Sequence, residues 1–452
     1  MTGRRHLRSF LPVLTRPARP TAGDPAEVGA PHPRRDGTRT GVLSAGALAA
    51  CASLAAGCGV VPGISGGSGD APITVMTWAP EETSATNKPG MPAMAEAYAR
   101  WVNSQGGLNG RELHVLTCND HNDTVGAARC AERAVDEGAV AVLGSYSQHG
   151  RSFLSPLEAA GIPYVGGYGV TADEFTSPTS YPVNGGQFAL LAGLGEHLAD
   201  ACDTVVLVRP DSLVGDTMPV LLDAGLRTGK QAAVTDQPAA EDSTEYTNAT
   251  RQALTRATAD ASGTGCVVPS LGDRTGTFMD DFRRVRADYP DVRTGAVLGS
   301  VDQSVINSTG GSSGPYEGAY VTGWYPESTD ERWDAMNDVI GEHAFGDNRI
   351  EGTDPGVQTT WVAYTVFKAV VEELGEGEVS ARTIRRALDD GLEVTTGGLT
   401  PTLRWRFEDL IAAGGYPRLV NADVTFQVVR DGRLVAARKD SVSVRKTLES
   451  AS

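Results

Sequence analysis

Apolar residues follow two alternating spacings along the chain from residue 70 onward. Short runs rich in β-branched residues, such as Ile73 to Met76, alternate with stretches in which apolar residues recur every three or four positions. The first spacing predicts strands and the second predicts amphipathic helices, so their alternation indicates βαβ units on a mostly parallel sheet. In this first unit the predicted strands are 73–76, 112–117, 139–143 and 164–165, with helices at 91–103 and from Asp123 or Thr124 onward.

The same alternation restarts after residue 186 and predicts a second α/β unit of similar size. A long helix at 357–374, another at 380–390 and a β-rich tail with strands at 403–407 and 424–429 follow it. Because this tail is too short for a domain of its own, we expect it to complete both units, with several crossings of the chain between them. The second unit is predicted to contain helices 187–200, 216–228, 245–259 and 276–288 and strands 204–208, 266–269 and 296–298.

Composition and charge exclude several classes of protein. The 452 residues are 40% hydrophobic and 21% charged, which is typical of a globular protein and excludes wholesale disorder. The net charge is -17, so the chain repels phosphate backbones and nucleic acid is excluded as an expected partner.

The first 57 residues differ from the rest of the chain in charge and pattern. They hold eight arginines against three acidic residues, and the basic stretch precedes a 16-residue apolar run at 41–56. This run is shorter than the roughly 20 residues of a membrane span, and its order resembles a bacterial lipoprotein signal. We expect lipidation at Cys58, where the apolar run ends, with Cys51 as the alternative. We expect the Gly/Ser/Pro-rich residues 58–70 to form a tether that keeps the folded part away from the membrane.

Two enzyme motifs occur in contexts that do not support catalysis. Residues 63–67 (GISGG) satisfy G-x-S-x-G but lie in the tether and follow no predicted strand, so no nucleophile elbow forms. Residues 225–230 (GLRTGK) resemble a P-loop but have three residues between the glycines rather than four, and Gln231 replaces the Ser or Thr. The polar residues 118–123 lack the regular spacing of metal ligands, so neither a metal nor a cofactor is predicted.

Several motifs, in order, resemble the branched-chain amino-acid (Leu/Ile/Val) binding-protein family, which has the type I periplasmic-binding fold. Residues 101–113 (WVNSQGGLNGREL) are similar to that family's segment in which a helix ends at a double glycine. Further similar segments are 118–123 (CNDHND), 142–147 (VLGSYS), 161–163 (GIP), 171–176 (TADEFT), 360–365 (TWVAYT), 397–398 (GG) and 406–408 (RFE). The resemblance covers roughly residues 71–440.

The resemblance implies an α/β fold of two Rossmann-like lobes joined by hinge strands, with a ligand cleft between them. It divides the chain into a leader (1–57), a tether (58–70) and a tail (441–452) around the two lobes. The expected N-lobe is 71–185 plus about 320–398, and the expected C-lobe is 186–319 plus about 399–440.

The family's motifs place the expected ligand contacts after strands, where the carboxyl ends of a parallel sheet bind ligands. Backbone N–H groups and hydroxyls would hold a carboxylate, and Asp302 would bind an ammonium, although an aspartate at such a position more often caps a helix. Val214 replaces the family's stacking tyrosine, so the ligand is open among amino acids, urea, short amides, aromatic acids and other small polar metabolites. The expected site residues are Trp78, Ser145, Tyr146, Ser147, Tyr168, Gly169, Thr171 and Asp302.

Four cysteines lie beyond residue 58, an even number that suits an exported protein. Cys118 ends a predicted strand and Cys130 lies on the inner face of the next helix, whereas Cys202 and Cys266 each precede a strand of the second unit. We predict the disulfides Cys118–Cys130 and Cys202–Cys266, with buried free thiols as the alternative.

The resemblance implies a binding protein rather than an enzyme. We expect a monomeric lipoprotein on the outer face of the cell membrane that delivers a small polar metabolite to the permease of an ABC importer. The alternatives are a ligand-sensing subunit for a membrane kinase and, further away, a secreted α/β hydrolase.

Overall fold

The computed structural model describes residues 71–451, apart from 84–85, 213–214, 241–242 and 261–262. The predicted leader, tether and lipidated cysteine therefore lie outside the described residues, and so does Val214. Within the described part of the chain, no helix is both long enough and apolar enough to cross a bilayer.

The first lobe is built on a parallel sheet that has five strands in the described part of the chain, in the order β2-β1-β3-β4-β5. The two longest strands pair in register, from Ile73 opposite Leu113 to Trp78 opposite Cys118. These strands are β1 (Ile73–Trp78), β2 (Leu113–Cys118), β3 (Val142–Leu143), β4 (Tyr164–Val165) and β5 (Ser180–Tyr181).

Helices cover both faces of this sheet. Helix α2 begins where the Asp123 side chain accepts the N–H of Gly126 (2.6 Å), and its buried face consists largely of alanine, so it lies close to the sheet. The helices of this lobe in the first part of the chain are α1 (Gly90–Ser104), α2 (Thr124–Asp136) and α3 (Gly150–Ala160).

The second lobe contains a mixed sheet in the order β12-β11-β10-β9-β8-β6-β7, with β13 paired to β11. Its strands β6 to β10 are parallel, whereas β11 runs antiparallel to both β10 and β12. The strands are β6 (Thr204–Pro210), β7 (Thr235–Ala239), β8 (Gly265–Pro269), β9 (Arg293–Val297), β10 (Tyr320–Gly323), β11 (Asp423–Arg430), β12 (Arg433–Ala436) and β13 (Val442–Ser443). The helices are α4 (Gly186–Ala199), α5 (Met218–Leu226), α6 (Thr247–Ala257), α7 (Thr275–Val285), α8 (Gln303–Ser308) and, near the end of the chain, α12 (Arg445–Ser450).

Within the described residues the chain crosses between the lobes three times, at 182–185, 324–333 and 390–422. After β10 the chain returns to the first lobe and adds three helices to it before β11 joins the second sheet. These helices are α9 (Asp334–His343), α10 (Pro355–Leu374) and α11 (Ala381–Asp389). The prediction that the last part of the chain completes both units is therefore confirmed.

Helix α10 joins the first lobe through aromatic and hydroxyl contacts. The ring of Trp361 lies edge-on to Tyr98 of α1 (5.2 Å), and the hydroxyl of Tyr364 lies 2.9 Å from that of Thr77 in β1. Gly144, which has a φ of +53°, lets the loop after β3 touch the helix backbone, because a Cβ there would lie 2.7 Å from the Cα of Thr360. A segment more than 200 residues from β3 thus forms part of the first lobe.

Some predicted strands differ from the observed ones. Residues 403–407 do not form a strand: Leu403 makes an isolated bridge to Val394, and a single helical turn begins at Phe407. The sequence did not predict strand β7, because its residues, TDQPA, show no alternation of apolar and polar positions. The strand lies at the edge of the sheet, where Pro238 removes no hydrogen bond between strands. Strand β10 was missed because its four residues are too few to show a period.

The structure contains both predicted disulfides. Cys118, at the end of β2, pairs with Cys130 of α2, with the two Cα atoms 5.8 Å apart. Cys202, which follows α4, pairs with Cys266 of β8 at a Cα separation of 5.9 Å. Each bridge lies within one lobe, so neither restrains the lobes relative to each other.

Candidate ligand-binding site between the lobes

Three aromatic side chains lie in a row where the strand ends of the two lobes meet. Tyr146 follows β3, Tyr168 follows β4, and Trp324 follows β10 of the second sheet. The Tyr146 and Tyr168 rings are edge-to-face at 5.0 Å, and the Tyr168 and Trp324 rings are edge-to-face at 5.1 Å. All three side chains are buried, so they form an apolar wall that spans the lobe boundary.

Lys88, in the loop between β1 and α1, places a positive charge beside this wall. Its ammonium lies 3.1 Å from the Asp354 carboxylate and 5.7 Å from the centre of the Tyr168 ring. Burial by itself lowers the pKa of Lys88, but the negative charge of Asp354 and the other acidic groups around it outweigh burial and raise the pKa. Lys88 is therefore a permanent cation of the first lobe.

Asp302 faces this cation from the second lobe. Its carboxylate caps α8 by accepting the N–H of Val305 at 2.9 Å, which agrees with the structural alternative considered for this residue. Burial raises the pKa of Asp302, and the negative charge of Asp354 adds to this rise, whereas Lys88 opposes it. Among the described residues, no cation lies within ion-pair distance of Asp302 and Val305 is its only donor, so part of its hydrogen-bonding capacity remains unused.

The backbone of the second lobe touches the first lobe beside Asp302. Gly299 has a φ of +94°, and a Cβ at this position would lie 2.7 Å from the Tyr168 hydroxyl. Only glycine therefore allows this approach of the two lobes. Tyr168, Lys88 and Asp302 thus lie at a boundary to which both lobes contribute.

The loop after β4 does not offer its N–H groups to a ligand, which corrects the expectation for Gly169 and Thr171. The buried Glu174 carboxylate accepts the backbone N–H groups of Gly169, Val170 and Thr171 at 3.0 Å each and the Thr171 hydroxyl at 3.1 Å. Burial raises the pKa of Glu174 to about 7. An internal carboxylate thus occupies the donors that were expected to bind the carboxylate of a ligand.

Ser145 and Ser147 are also committed to internal contacts. The Ser145 hydroxyl accepts the N–H of Trp78 (3.1 Å) and donates to the Leu143 carbonyl (3.2 Å). The Ser147 hydroxyl accepts the N–H of His149 (3.2 Å). Their hydroxyls are therefore engaged by the backbone of this part of the first lobe.

Trp78, one of the expected site residues, packs in the core of the first lobe. Its side chain is fully buried, and its ring contacts Phe153 (5.4 Å) and Tyr164 (6.0 Å) in the apolar layer between the first sheet and helices α2 and α3. Successive side chains of a strand point to opposite faces of the sheet, and the last residue of β1 points to this layer.

The sequence-based reasoning missed Lys88, Glu174, Asp354 and Trp324. Glu174 could have been found, because Thr171 and Glu174 have the spacing of a capping box and the structure forms that box. Asp354 precedes Pro355 at a helix start, which is an ordinary cap pattern, and its side chain does cap α10. Only the folded chain brings it to Lys88, 266 positions earlier.

The fold and this boundary define a class of protein. Two α/β lobes are linked by three crossings in the described residues, and charged and aromatic side chains lie where their strand ends meet. The chain is a two-lobe solute-binding protein, and it belongs to the periplasmic binding protein family, whose profile matches residues 82–411. This is the type I, Leu/Ile/Val-binding-like group that the motifs predicted, and its members bind solutes outside the cytoplasm and are not catalysts.

Solved structures with the same fold share little sequence with this chain. A substrate-binding periplasmic protein from Ralstonia solanacearum is 16% identical, with a TM-score of 0.62 over 80% of this chain and 99% of the other. A solute-binding protein of an ABC transporter from Rhodopseudomonas palustris HaA2, in complex with p-hydroxybenzoic acid, is 12% identical, with a TM-score of 0.65 over 83% and 97%. A possible leucine/isoleucine/valine-binding protein from Rhodopirellula baltica SH 1 is 13% identical, with a TM-score of 0.63 over 85% and 99%. No curated protein matches the chain.

Proposed function

We propose that this protein is the lipid-anchored solute receptor of an ABC importer and that it binds a small polar metabolite bearing an ammonium or amide N–H group between its lobes. One observation carries the choice of ligand: Asp302 is a partly buried carboxylate at the lobe boundary, and Val305 is its only donor among the described residues. A ligand N–H donor would satisfy the remaining lone pairs of this carboxylate. Amino acids, short amides and related metabolites have such donors.

Lys88 supports a ligand that also carries a carboxylate or a carbonyl oxygen. Its ammonium has three N–H donors, of which one serves Asp354 at 3.1 Å. The ammonium lies 5.7 Å from the centre of the Tyr168 ring in the aromatic wall and interacts electrostatically with Asp302 of the second lobe. A zwitterion lying between Lys88 and Asp302 would meet a charge of opposite sign at each end.

An aromatic acid is the second candidate ligand. The wall of Tyr146, Tyr168 and Trp324 could pack against an aromatic ring while Lys88 binds the carboxylate. The Rhodopseudomonas palustris protein of the same fold was solved with p-hydroxybenzoic acid. The two ligand classes differ in which charged residue they need, because an aromatic acid has no ammonium for Asp302.

Binding by closure of the lobes follows from their connection. The three crossing segments are the covalent links between the lobes in the described chain, and both disulfides lie within single lobes. Hinging about these segments would open or close the boundary, and a ligand that contacts Lys88 on one side and Asp302 on the other would favour the closed arrangement.

We propose the lipid anchor from the sequence of the leader, and the ABC permease as partner from membership of the family. Diacylglyceryl modification of Cys58, or of Cys51, would attach two acyl chains, which suffice for stable membrane binding. Intact-mass measurement of the membrane-extracted protein distinguishes the two cysteines. An adjacent pair of permease and ATPase genes would support import, whereas an adjacent membrane kinase gene would favour the sensing role.

A metabolite screen followed by calorimetry tests the proposed ligand. Thermal-shift screening of amino acids, amides, ureas and aromatic acids should yield ligands that raise the melting temperature with concentration. Calorimetry would then compare the wild type with Asp302→Asn and Lys88→Met. Asp291→Asn, at the opposite end of β9, and Lys446→Met are matched exposed controls.

The pattern of losses decides between the ligand classes. An amine or amide ligand should lose affinity in Asp302→Asn, and an aromatic acid should lose it only in Lys88→Met. A ligand that is insensitive to both changes binds elsewhere and contradicts the proposed site. Turnover of ester or amide substrates by the purified protein would contradict the proposed function itself.

A further inference from the structure

The turn that follows β9 brings the backbone of the second lobe against a side chain of the first lobe. Gly299 in this turn has a φ of +94°, and a Cβ built on it would lie 2.7 Å from the Tyr168 hydroxyl oxygen and 3.7 Å from the ring carbon Cζ. Non-bonded Cβ atoms essentially never come within 3.0 Å of another heavy atom. A larger residue at position 299 therefore requires either the Tyr168 side chain or one of the lobes to move.

The Tyr168 side chain has little room to move. The residue is 2% exposed, and its ring lies edge-to-face with Tyr146 at 5.0 Å and with Trp324 at 5.1 Å. The Lys88 ammonium lies over the same ring, and the backbone N–H of Tyr168 donates to the Ser145 carbonyl (3.0 Å). Because side chains in a packed interior leave few voids, this ring can move only if its neighbours move with it. The Tyr168 hydroxyl is therefore a fixed point of the first lobe.

The turn around Gly299 is held by backbone hydrogen bonds on both sides. The N–H of Leu298 donates to the Thr322 carbonyl of β10 (2.8 Å), and the N–H of Ser300 donates to the Val297 carbonyl at the end of β9 (3.0 Å). These bonds tie the turn to the second sheet. Gly299 is therefore a fixed point of the second lobe.

We propose that the contact between Gly299 and the Tyr168 hydroxyl limits how closely the lobes approach, and that it thereby sets the length of the ligand that fits between them. This inference rests on the proposed function, because it takes the ligand to lie between Lys88 and Asp302. The Lys88 ammonium is 5.7 Å from the centre of the Tyr168 ring. Asp302 lies three residues after Gly299, at the start of α8. Each charged group is thus fixed relative to one side of the contact, and the two residues of the contact are positioning residues for the ligand site.

An alanine at position 299 should force the lobes apart, and removal of the tyrosine hydroxyl should cancel this effect. Moving a Cβ from 2.7 Å to the 3.4 Å of an ordinary contact displaces the turn from Tyr168 by the difference between these distances. Without the hydroxyl, the nearest listed ring atom is Cζ at 3.7 Å, which is already an ordinary contact. Gly299→Ala should therefore separate the lobes in the wild-type background but not beside Tyr168→Phe.

Fluorine NMR of the full-length protein measures the contact without any ligand. The protein is labelled with 5-fluorotryptophan, and the signal that disappears in Trp324→Phe belongs to Trp324. Because this ring lies edge-to-face with Tyr168 across the boundary, its resonance responds to small changes in their separation. The wild type is compared with Gly299→Ala, Tyr168→Phe and the double variant. Gly318→Ala is the matched control: Gly318 precedes β10 of the same lobe and has a φ of +79°, but no atom lies within 4 Å of its Cβ position.

Spin labels on the two lobes distinguish movement of the lobes from rotation of the Tyr168 ring. Labels are attached at Glu158→Cys on α3 and Gln252→Cys on α6, both of which are exposed positions. Cys51 and Cys58 are replaced by alanine in the full-length chain, and the other four native cysteines are paired in disulfides. The distance between the labels is then measured by electron paramagnetic resonance for the same set of variants.

Gly299→Ala should shift the Trp324 resonance and lengthen the distance between the labels, whereas Gly318→Ala should do neither. In the Tyr168→Phe background, Gly299→Ala should lose at least about half of each effect, since coupled residues are not additive. Equal effects in both backgrounds would reflect backbone strain at residue 299 alone and would overturn the proposal, as would the absence of any effect. A shifted resonance with an unchanged label distance would mean that the ring turns aside while the lobes keep their spacing, which also overturns it. Because neither measurement uses a ligand, failure here is distinguishable from failure of the metabolite screen that tests the proposed function.

Discussion

The carboxylate of Glu174 in the first lobe accepts four hydrogen bonds, whereas that of Asp302 in the second lobe accepts one from the described residues. Both follow parallel strands at the lobe boundary, the type of position where α/β proteins bind ligands. Glu174 is 2% exposed and stabilises its own loop, while Asp302 is only partly buried and faces Lys88. The comparison shows that a carboxylate that already accepts several N–H or O–H groups of the protein has a structural role, whereas one that accepts few is available to a ligand.

The largest expected effect is on Glu174. Changing Glu174 to Ala leaves the buried N–H of Gly169 and the partly buried N–H groups of Val170 and Thr171 without an acceptor. Each such group costs about 1–3 kcal/mol, so the free energy of unfolding should fall by about 4 kcal/mol or more. Urea unfolding monitored by circular dichroism measures this loss. The exposed Glu158→Ala on α3 serves as the control and should change stability by less than about 0.5 kcal/mol. A loss as small as the control's would mean that Glu174 is not structural.

The second prediction compares the lobes through their disulfides. Cys202–Cys266 closes a separation of 64 residues and Cys118–Cys130 one of 12. Cross-linking removes more chain entropy from the unfolded state when it closes a longer loop. Replacing both cysteines of the second-lobe bridge with alanine should therefore lower the free energy of unfolding by about 4 kcal/mol, against about 3 kcal/mol for the first-lobe bridge. Denaturant unfolding of the two double variants checks the order. The reverse order would contradict the loop-length argument.

The third prediction concerns pH. The pKa of Glu174 is about 7 in the folded protein, above its ordinary value of 4.5. Between these values the folded state holds the proton more tightly than the unfolded state, so this residue's contribution to stability falls as pH rises from 4.5 to about 7, by roughly 2–3 kcal/mol. Unfolding at pH 5 and pH 8 should show this fall in the wild type and a smaller one in Glu174→Gln. Equal pH dependence in both proteins would refute the assignment.

The fourth prediction removes the charge of Asp302 but keeps its cap. Asparagine caps helices as well as aspartate does, so Asp302→Asn should fold normally. Its affinity for an amine-bearing ligand should fall by about 1.5–3 kcal/mol, the value of a hydrogen bond to a charged group. Calorimetry measures the affinity, and an unchanged value would remove Asp302 from the binding site.

The smallest expected effect is on the cap itself. Asp302→Ala removes the acceptor for the Val305 N–H and should cost about 1 kcal/mol of stability. Comparing the thermal melts of Asp302→Ala and Asp302→Asn separates the contribution of the helix cap to stability from that of the charge. A loss as large as that of Glu174→Ala would remove the distinction between the two carboxylates.

Much of the fold could be predicted from local pattern. The alternation of strands and helices, the helix after Asp123 and both cysteine pairs follow from residues close in sequence or from their place at strand ends. Strands without such a pattern, such as Thr235–Ala239, were missed because their partners in the sheet, and not their own residues, hold them extended.

The sequence by itself determined the family, the two-lobe architecture and the loops in which ligand contacts were sought. Tertiary structure decided which side chains in those loops are available. The Trp78 side chain packs in the core, and the Glu174 carboxylate accepts the N–H groups of Gly169 and Thr171. Lys88 pairs with Asp354, which lies 266 positions later in the sequence. The physical reason is that a motif specifies donors and acceptors, whereas whether they are free depends on which distant groups the packed chain brings within hydrogen-bond distance.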